Sequence, residues 1–567
     1  MHSSTRNALL GLIALLTIAV LTFRPGWNNP FVLDDMTKIQ QNPDVRLEHP
    51  GVHDFIFPYD PTQSNIRNDP SRPFTFLIYN LCWRAGGGSP APFHLVGTVV
   101  HGLCAFLLAL LTISLMGRFG LPSGAGGGIM AALLFLFAPL LAGSVYYAYA
   151  LSDVLATFFL LAAFLAGPRA VLAAGFFVLA LACKQSAIAL PGAVLAVDLM
   201  CGGVAEIRRR WRVHALLFSA AAVYLALRLW YFGGIGDLEA QGTPGVMEYA
   251  LSQGLMIFKY LWMIFVPTSL TIDHFIRPEH LNIELEILAW LVLSAFTGCA
   301  IFLGTAGKGT ALSRLGAAGG LVFLLLLLPV SSFFPTVDLF VERRAYTAAI
   351  GPIFALAAFW EWLRSNPEMP GRLAVSRVVL AAVLFVYPRM TMDRAKVYAS
   401  RDSLWEESLT RYPLSPRAHL NLATAKAAAG DYERARSLLE ELLTLQPENG
   451  VIYSKLGFVY AQADNKNRDD QKAWDYYKRS FELLPDDVIA LLNGGALLMH
   501  LGRFPEAARL LLHAVDLSPG MAYAHFLAGQ ALFYAGQKTD AEPHFQKVLE
   551  LEPANSEASK YLTEIRN

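Results

Sequence analysis

Apolar residues come in long blocks through the first 390 or so positions and in shorter, amphipathic blocks after that. Blocks close to the roughly 20 residues that carry a helix across about 30 Å of hydrocarbon fall near 8–23, 94–116, 128–146, 152–167, 170–183, 186–201, 213–231, 284–304, 315–330, 345–362 and 376–388. They predict about eleven membrane spans, with a further amphipathic or re-entrant stretch at 247–270. The first block is read as a retained helix rather than a cleaved signal peptide. Arg24-Pro25-Gly26-Trp27 follows it where small residues suited to cleavage would stand.

The later part repeats. Pro413, Pro447, Pro485, Pro519 and Pro553 recur at steps of 34, 38, 34 and 34 residues, each after a helical stretch. Small residues keep the same step at Ala423, Gly457, Gly495 and Gly529, and again at Ala435, Ala473, Ala507 and Ala541. A bulky side chain there would force paired helices apart. The pattern resembles the tetratricopeptide repeat, with units at about 416–449, 450–487, 488–521 and 522–555 and a capping helix at 556–567. The four extra residues of the second unit fall within 463–470. The expected fold class is therefore all-α: a polytopic membrane domain over 1–392, then an α-solenoid over 402–567. Such a solenoid offers a concave groove for an extended peptide or partner helix. A rigid spacer or dimerisation module is the plainer alternative.

Composition sharpens this division. The 567 residues carry 45 basic and 45 acidic side chains, 54% apolar residues and 16% charged ones. Soluble domains carry about 25% charge, so a single soluble globule is excluded, and zero net charge gives a nucleic-acid partner no support. Residues 1–401 hold 28 basic and 22 acidic groups, against 17 and 23 in 402–567. Cys82, Cys104, Cys183, Cys201 and Cys299 are scattered without a CxxC pair, which argues against a zinc site or a disulfide framework.

Orientation follows from basic residues in short loops. The cluster Arg208-Arg209-Arg210-Trp211-Arg212 reads as cytoplasmic, a topology signal rather than a lipid or partner site. Segments 24–93, 232–283 and 331–344 then face outward, as do the repeats.

Charges at that outer face are the chemical candidates. Asp34 and Asp35 are adjacent, and two such carboxylates resist simultaneous ionisation. They can act as base and orienting group or hold a divalent cation, although an Asp-Asp pair is more often a solvated turn or helix cap. Arg72, Asp153, Lys184, Arg228 and the run Glu342-Arg343-Arg344 also lie at outer helix ends. Cations converging there would suit a lipid-linked phosphate. His94 and His101 share a helix face and read as packing or hydrogen-bonding residues. The runs Gly86–Gly88 and Gly126–Gly128 lack the frame of a phosphate loop and read as loops.

Phe31-Val32-Leu33-Asp34-Asp35, Asn42-Pro43, Arg72-Pro73-Phe74, Phe93-His94, His101, Asp153, Leu181–Pro191, Tyr260-Leu261 with Pro267 and Leu270, and Glu342–Tyr346 occur in this order before the repeats. Together they resemble the transmembrane and tetratricopeptide-repeat O-mannosyltransferases, a family of the GT-C class of multi-span glycosyltransferases. The resemblance implies an inverting transfer of mannose or a similar sugar from a polyprenyl-phosphate donor to a hydroxyl of an extracytoplasmic acceptor, a protein docked by the repeats. It implies Asp34 or Asp35 as the base, and Lys184, Arg343, Arg72 and Arg228 around the donor phosphate. Asp153, His101 and Glu342 would support them, and a divalent cation on Asp35 stays open. Short outer loops suit a bacterial inner-membrane protein with periplasmic repeats, or lumenal repeats in an endoplasmic-reticulum relative. Two departures, Lys184-Gln185 for the family's Lys-Glu and Leu151-Ser152 for its Gly-Arg, point to a different sugar, carrier or phosphate grip. The alternatives are a non-catalytic membrane-anchored scaffold for envelope proteins, and a transporter of the same lipid.

Overall fold

A computed structural model of the chain describes residues 2–56, 68–122, 124–234, 244–462 and 466–566. Parts of the expected outer segments (57–67 and 235–243) and of the repeat insertion (463–465) lie outside the described residues. Among the described residues the structure is helical and contains no strand. The chain separates into two compact units, Met1–Glu407 and Ser408–Asn567.

Among the described residues of the first unit, eight helices are long and apolar enough to cross a membrane, and the number is ten when each of two bent pairs is taken as one span. This is a multi-pass membrane protein. The bent pairs correspond to two of the blocks read as straight spans. Ala125–Phe137 and Pro139–Tyr146 meet at 57°. Ala138 is extended there because the ring of Pro139 disfavours helical geometry in the residue before it. Glu342–Ala348 and Ile350–Ser365 meet at 56°, where Pro352 has no N–H to offer the preceding turn. The remaining block, Ala170–Cys183, is a 14-residue helix. At 1.5 Å per residue it covers about 21 Å, short of the hydrocarbon core by itself. The 247–270 stretch forms the helix Val246–Phe265 and is not among the apolar candidates.

Large apolar side chains such as Val223, Leu227, Trp230 and Phe385 are exposed on these helices, as a lipid-facing surface requires. Between helices, small residues allow close approach. A side chain on Gly351 would run into the carbonyl oxygen of Gly319, and one on Gly319 would stand 2.7 Å from that of Gly351.

Two arginines of the Arg208–Arg212 cluster, Arg209 and Arg210, are tied into an ion network. Asp198, fully buried, holds Arg118 at 2.7 Å, His214 at 3.1 Å and Arg210. Glu206 holds Arg209 at 2.6 Å. Gly203, at φ +64°, bends the helix between these two acids. At the far end of the unit, Arg394 is buried and grips both oxygens of Glu407 at 2.6 and 2.7 Å.

The second unit is four helix pairs and a closing helix: Pro416–Ala428 with Tyr432–Leu445, Gly450–Ala461 with Asp470–Leu483, Val488–His500 with Phe504–Leu517, Ala522–Tyr534 with Lys538–Leu551, then Ser556–Arg566. The small residues sit at the pair contacts. A β-carbon on Gly457, Gly495 or Gly529 would come within about 3 Å of Tyr477, Leu511 or Phe545 on the partner helix. Gly430, Gly502 and Gly536 close the turns at positive φ, the left-handed cap that ends a helix cleanly. The second pair has its insertion where the others have this glycine.

Gly351→Leu should therefore lower the detergent melting temperature, overpacking costing on the order of 1–3 kcal/mol. Gly11→Leu, at a position with nothing within 4 Å, should leave it unchanged. Equal melting of both variants would refute the close crossing.

Candidate functional site

The segment after the first helix is held from several sides. Trp27 Nε1 donates to Thr98 Oγ1 at 3.1 Å, Asn29 Nδ2 donates to the Ala395 carbonyl at 2.8 Å, and His94 Nε2 meets the Asn29 carbonyl at 3.3 Å. Leu33 then takes φ +50°, rare for a branched side chain. The resulting turn separates the two aspartates, Asp34 toward solvent and Asp35 into the protein.

Asp35 is fully buried. Its Oδ2 accepts from Val32 N at 3.1 Å and its Oδ1 from Tyr149 N at 2.7 Å. Burial pushes its carboxyl up to about 8, against the pull of those amides and with a smaller upward push from Asp34. Asp34 is different: its side chain is 50% exposed. Tyr147 Oη donates to Asp34 Oδ2 at 2.7 Å and accepts from Asp34 N at 3.2 Å. Arg343 Nη1 stands 3.7 Å from the same carboxylate oxygen.

Around this turn the cations gather. Arg343 lies over the Tyr147 ring at 5.8 Å. Arg72 lies over Tyr149 at 5.6 Å, donates to Tyr149 Oη at 3.2 Å and pairs with Asp69 at 3.3 Å. Lys184 pairs with Asp153 and lies within electrostatic range of Arg343 and Arg72. It occupies the extended residue that ends Ala170–Cys183, and Thr75 Oγ1 braces that end through the Cys183 carbonyl at 3.0 Å.

The structure thus brings together Asp34, Asp35, Arg72, Asp153, Lys184 and Arg343. Arg228 is one step removed: buried, over the Phe232 ring at 5.0 Å and within electrostatic range of Tyr224, which also lies within electrostatic range of Asp69 and Arg72. His101 points elsewhere, bonding Tyr346 Oη at 2.6 Å and the Leu136 carbonyl at 3.3 Å. Glu342 pins another loop, accepting from Thr271 N at 2.6 Å and meeting His274 Nε2 at 2.9 Å. Sequence reasoning missed Tyr147, Tyr149 and Asp69. The available signal was Tyr146-Tyr147-Ala148-Tyr149, polar-tipped aromatics at a break between apolar helices. Among the described residues, no group of three or more His, Cys, Asp or Glu is placed to hold a metal.

Residues 416–459 and 522–555 match the tetratricopeptide repeat family. Protein O-mannosyl-transferase TMTC3 of Mus musculus is 21% identical over 594 residues, covering 94% of this chain and 63% of that protein. Protein O-mannosyl-transferase TMTC4 of Homo sapiens is 24% identical over 484 residues, covering 74% of this chain and 64% of that protein. The chain resembles protein O-mannosyl-transferases. It spans somewhat less than two thirds of the length of those relatives. DnaJ homolog subfamily C member 7 of Mus musculus is 30% identical over 93 residues, 16% of this chain and 19% of that protein. Among solved structures, a TPR protein described as having an unusual peptide-binding site covers 36% of this chain and 96% of its own, with 21% identity and TM-score 0.24.

The raised Asp35 has a stability consequence. The folded protein keeps a proton that the unfolded chain releases above about pH 4, so stability falls as the pH rises toward about 8. In detergent the melting temperature should decline between about pH 5 and pH 8. Asp35→Asn, which stays neutral, should flatten that decline, and an unchanged slope would remove Asp35 as its source.

Proposed function

We propose that this protein is a membrane glycosyltransferase that moves mannose or a similar sugar from a polyprenyl-phosphate donor to a hydroxyl of a protein acceptor. The observation that carries the reading is a half-exposed carboxylate, Asp34, set among Arg343, Arg72 and Lys184. A base for the acceptor and cations for a departing phosphate are what such a transfer needs. The likeness to protein O-mannosyl-transferases supplies the sugar and the acceptor class.

In this reading Asp34 accepts the proton of the acceptor hydroxyl as its oxygen forms a bond to the anomeric carbon. The bond from that carbon to the phosphate oxygen breaks, and the phosphate leaves with the electron pair. Attack opposite the leaving group inverts the anomeric centre, as in the GT-C class. Arg343, Arg72 and Lys184 offset the charge growing on the phosphate, Arg343 and Arg72 as forks and Lys184 as a point charge. All three have acidic or aromatic partners already, so the donor phosphate competes with Asp34, Asp69 and Asp153 for them. Asp35 holds the turn and takes no proton from substrate. The repeats bind the acceptor protein on the same outer face, in the bacterial periplasm or an equivalent compartment.

The experiment is transfer of labelled mannose from polyprenyl-phosphate mannose to envelope proteins by the purified full chain. Asp34→Asn should lower transfer by about 10²- to 10⁴-fold, the usual worth of a general base, while the melting temperature holds. Lys184→Met should raise the donor KM. Parent-level transfer by Asp34→Asn would overturn the assignment. No transfer from any such donor, together with capture of an envelope protein by the full chain, would favour the scaffold.

A further inference from the structure

Resting on the reading above, we infer that Tyr147 is a positioning residue for Asp34: its hydroxyl occupies Oδ2 and leaves Oδ1 as the atom that receives the acceptor's proton.

The argument begins with what one phenol oxygen is doing. Tyr147 Oη accepts from the backbone N–H of Asp34 at 3.2 Å and donates to the carboxylate of that same residue at 2.7 Å. The amide can only donate, so the lone pair facing it is taken and the phenolic hydrogen must go to the carboxylate. The closed ring of two hydrogen bonds fixes both the backbone and the side-chain torsion of Asp34. Burial holds the Tyr147 phenol well above its usual range, so the hydroxyl stays a donor.

The ring is itself anchored. Tyr147 is 3% exposed and extended between Pro139–Tyr146 and the turn Ala148–Ala150, with its own N–H on the Gly143 carbonyl. Two residues on, the Tyr149 amide is fastened to Asp35. The aspartate turn and the tyrosine break are therefore joined twice, once through each aspartate. Arg343, over the Tyr147 ring and 3.7 Å from Asp34 Oδ2, reinforces the same oxygen. Among the described residues Oδ1 accepts no hydrogen bond, and the side chain around it is half-exposed.

A base held this way needs little reorganisation when the acceptor arrives. Without the phenolic hydrogen the carboxylate is free to turn, and its charged form loses a hydrogen bond. Donor binding, which depends on the cations, is untouched.

The test compares Tyr147→Phe with the parent, with Tyr146→Phe as a control on the neighbouring ring. Isotope-edited infrared spectra of the full chain, labelled at aspartate carboxyl carbon, read the bond directly, the Asp34 band being assigned by its loss in Asp34→Asn. That band should move in Tyr147→Phe and stay in Tyr146→Phe. In transfer assays with polyprenyl-phosphate mannose, Tyr147→Phe should lower kcat about tenfold or more and leave the donor KM unchanged. The acid limb of its rate profile should move to higher pH. Should Tyr147→Phe melt early, 3-fluorotyrosine at 147 keeps the shape with a stronger donor and should move the limb to lower pH. An unmoved Asp34 band, or parent-like kcat and pH profile, overturns the inference alone. A moved band with undiminished transfer by Asp34→Asn overturns the underlying assignment instead.

Discussion

Two stretches of chain more than a hundred residues apart meet at the carboxyl of Asp35. One of its oxygens closes the turn from Val32, and the other takes the amide of Tyr149. The aspartate turn and the tyrosine break hang on that double attachment. It holds Leu33 in a conformation a branched residue avoids, which turns Asp34 outward. It also fixes the tyrosine break, so that Tyr147 reaches Asp34 and Tyr149 reaches Arg72. The carboxyl tolerates such burial because it can stay protonated while backbone donors satisfy its oxygens.

The same economy governs the other charges of the membrane unit. Ions beside hydrocarbon are costly unless paired, and the cations at the site have partners: Arg343 with Asp34, Arg72 with Asp69, Lys184 with Asp153. The network around Asp198 and Glu206 has equally close pairs but is built differently. Its central acid is fully buried beneath three basic groups, which suits a lock between helices. At the candidate site Asp34 is half-exposed and its pair with Arg343, at 3.7 Å, is the loosest of the set.

In the repeats, packing does the work that ion pairs do at the membrane unit's ends. Gly457, Gly495 and Gly529 on the first helices make room for Tyr477, Leu511 and Phe545 on the second. Because the unit is built from nearest-neighbour contacts, the pattern recurs whenever the spacing does.

The all-helical class, the apolar spans and the repeats were legible because each depends on local periodicity: residues facing lipid or a partner helix recur with the helical turn. The aspartate pair and the basic residues were legible as charges in a chain that has few. Their division of labour was not. Asp34 and Asp35 differ by one position in sequence, and their difference in depth comes from one unusual φ angle and a contact with Tyr149. Tyr147 and Tyr149 read as ordinary aromatics in an apolar run until the break at 147–150 brings their hydroxyls and amides onto the aspartates. His101 and Glu342 were expected to support the clustered charges, yet their partners are Tyr346, Leu136, Thr271 and His274. The bends at Pro139 and Pro352 were written in the prolines, but an apolar run is blind to the direction a helix takes after a kink. Sequence alone determined where helices form and which faces they hide, since those follow from short-range spacing and solvent preference. Only the tertiary structure decided which buried donor meets which carboxylate, because those pairings join distant segments whose approach is set by packing.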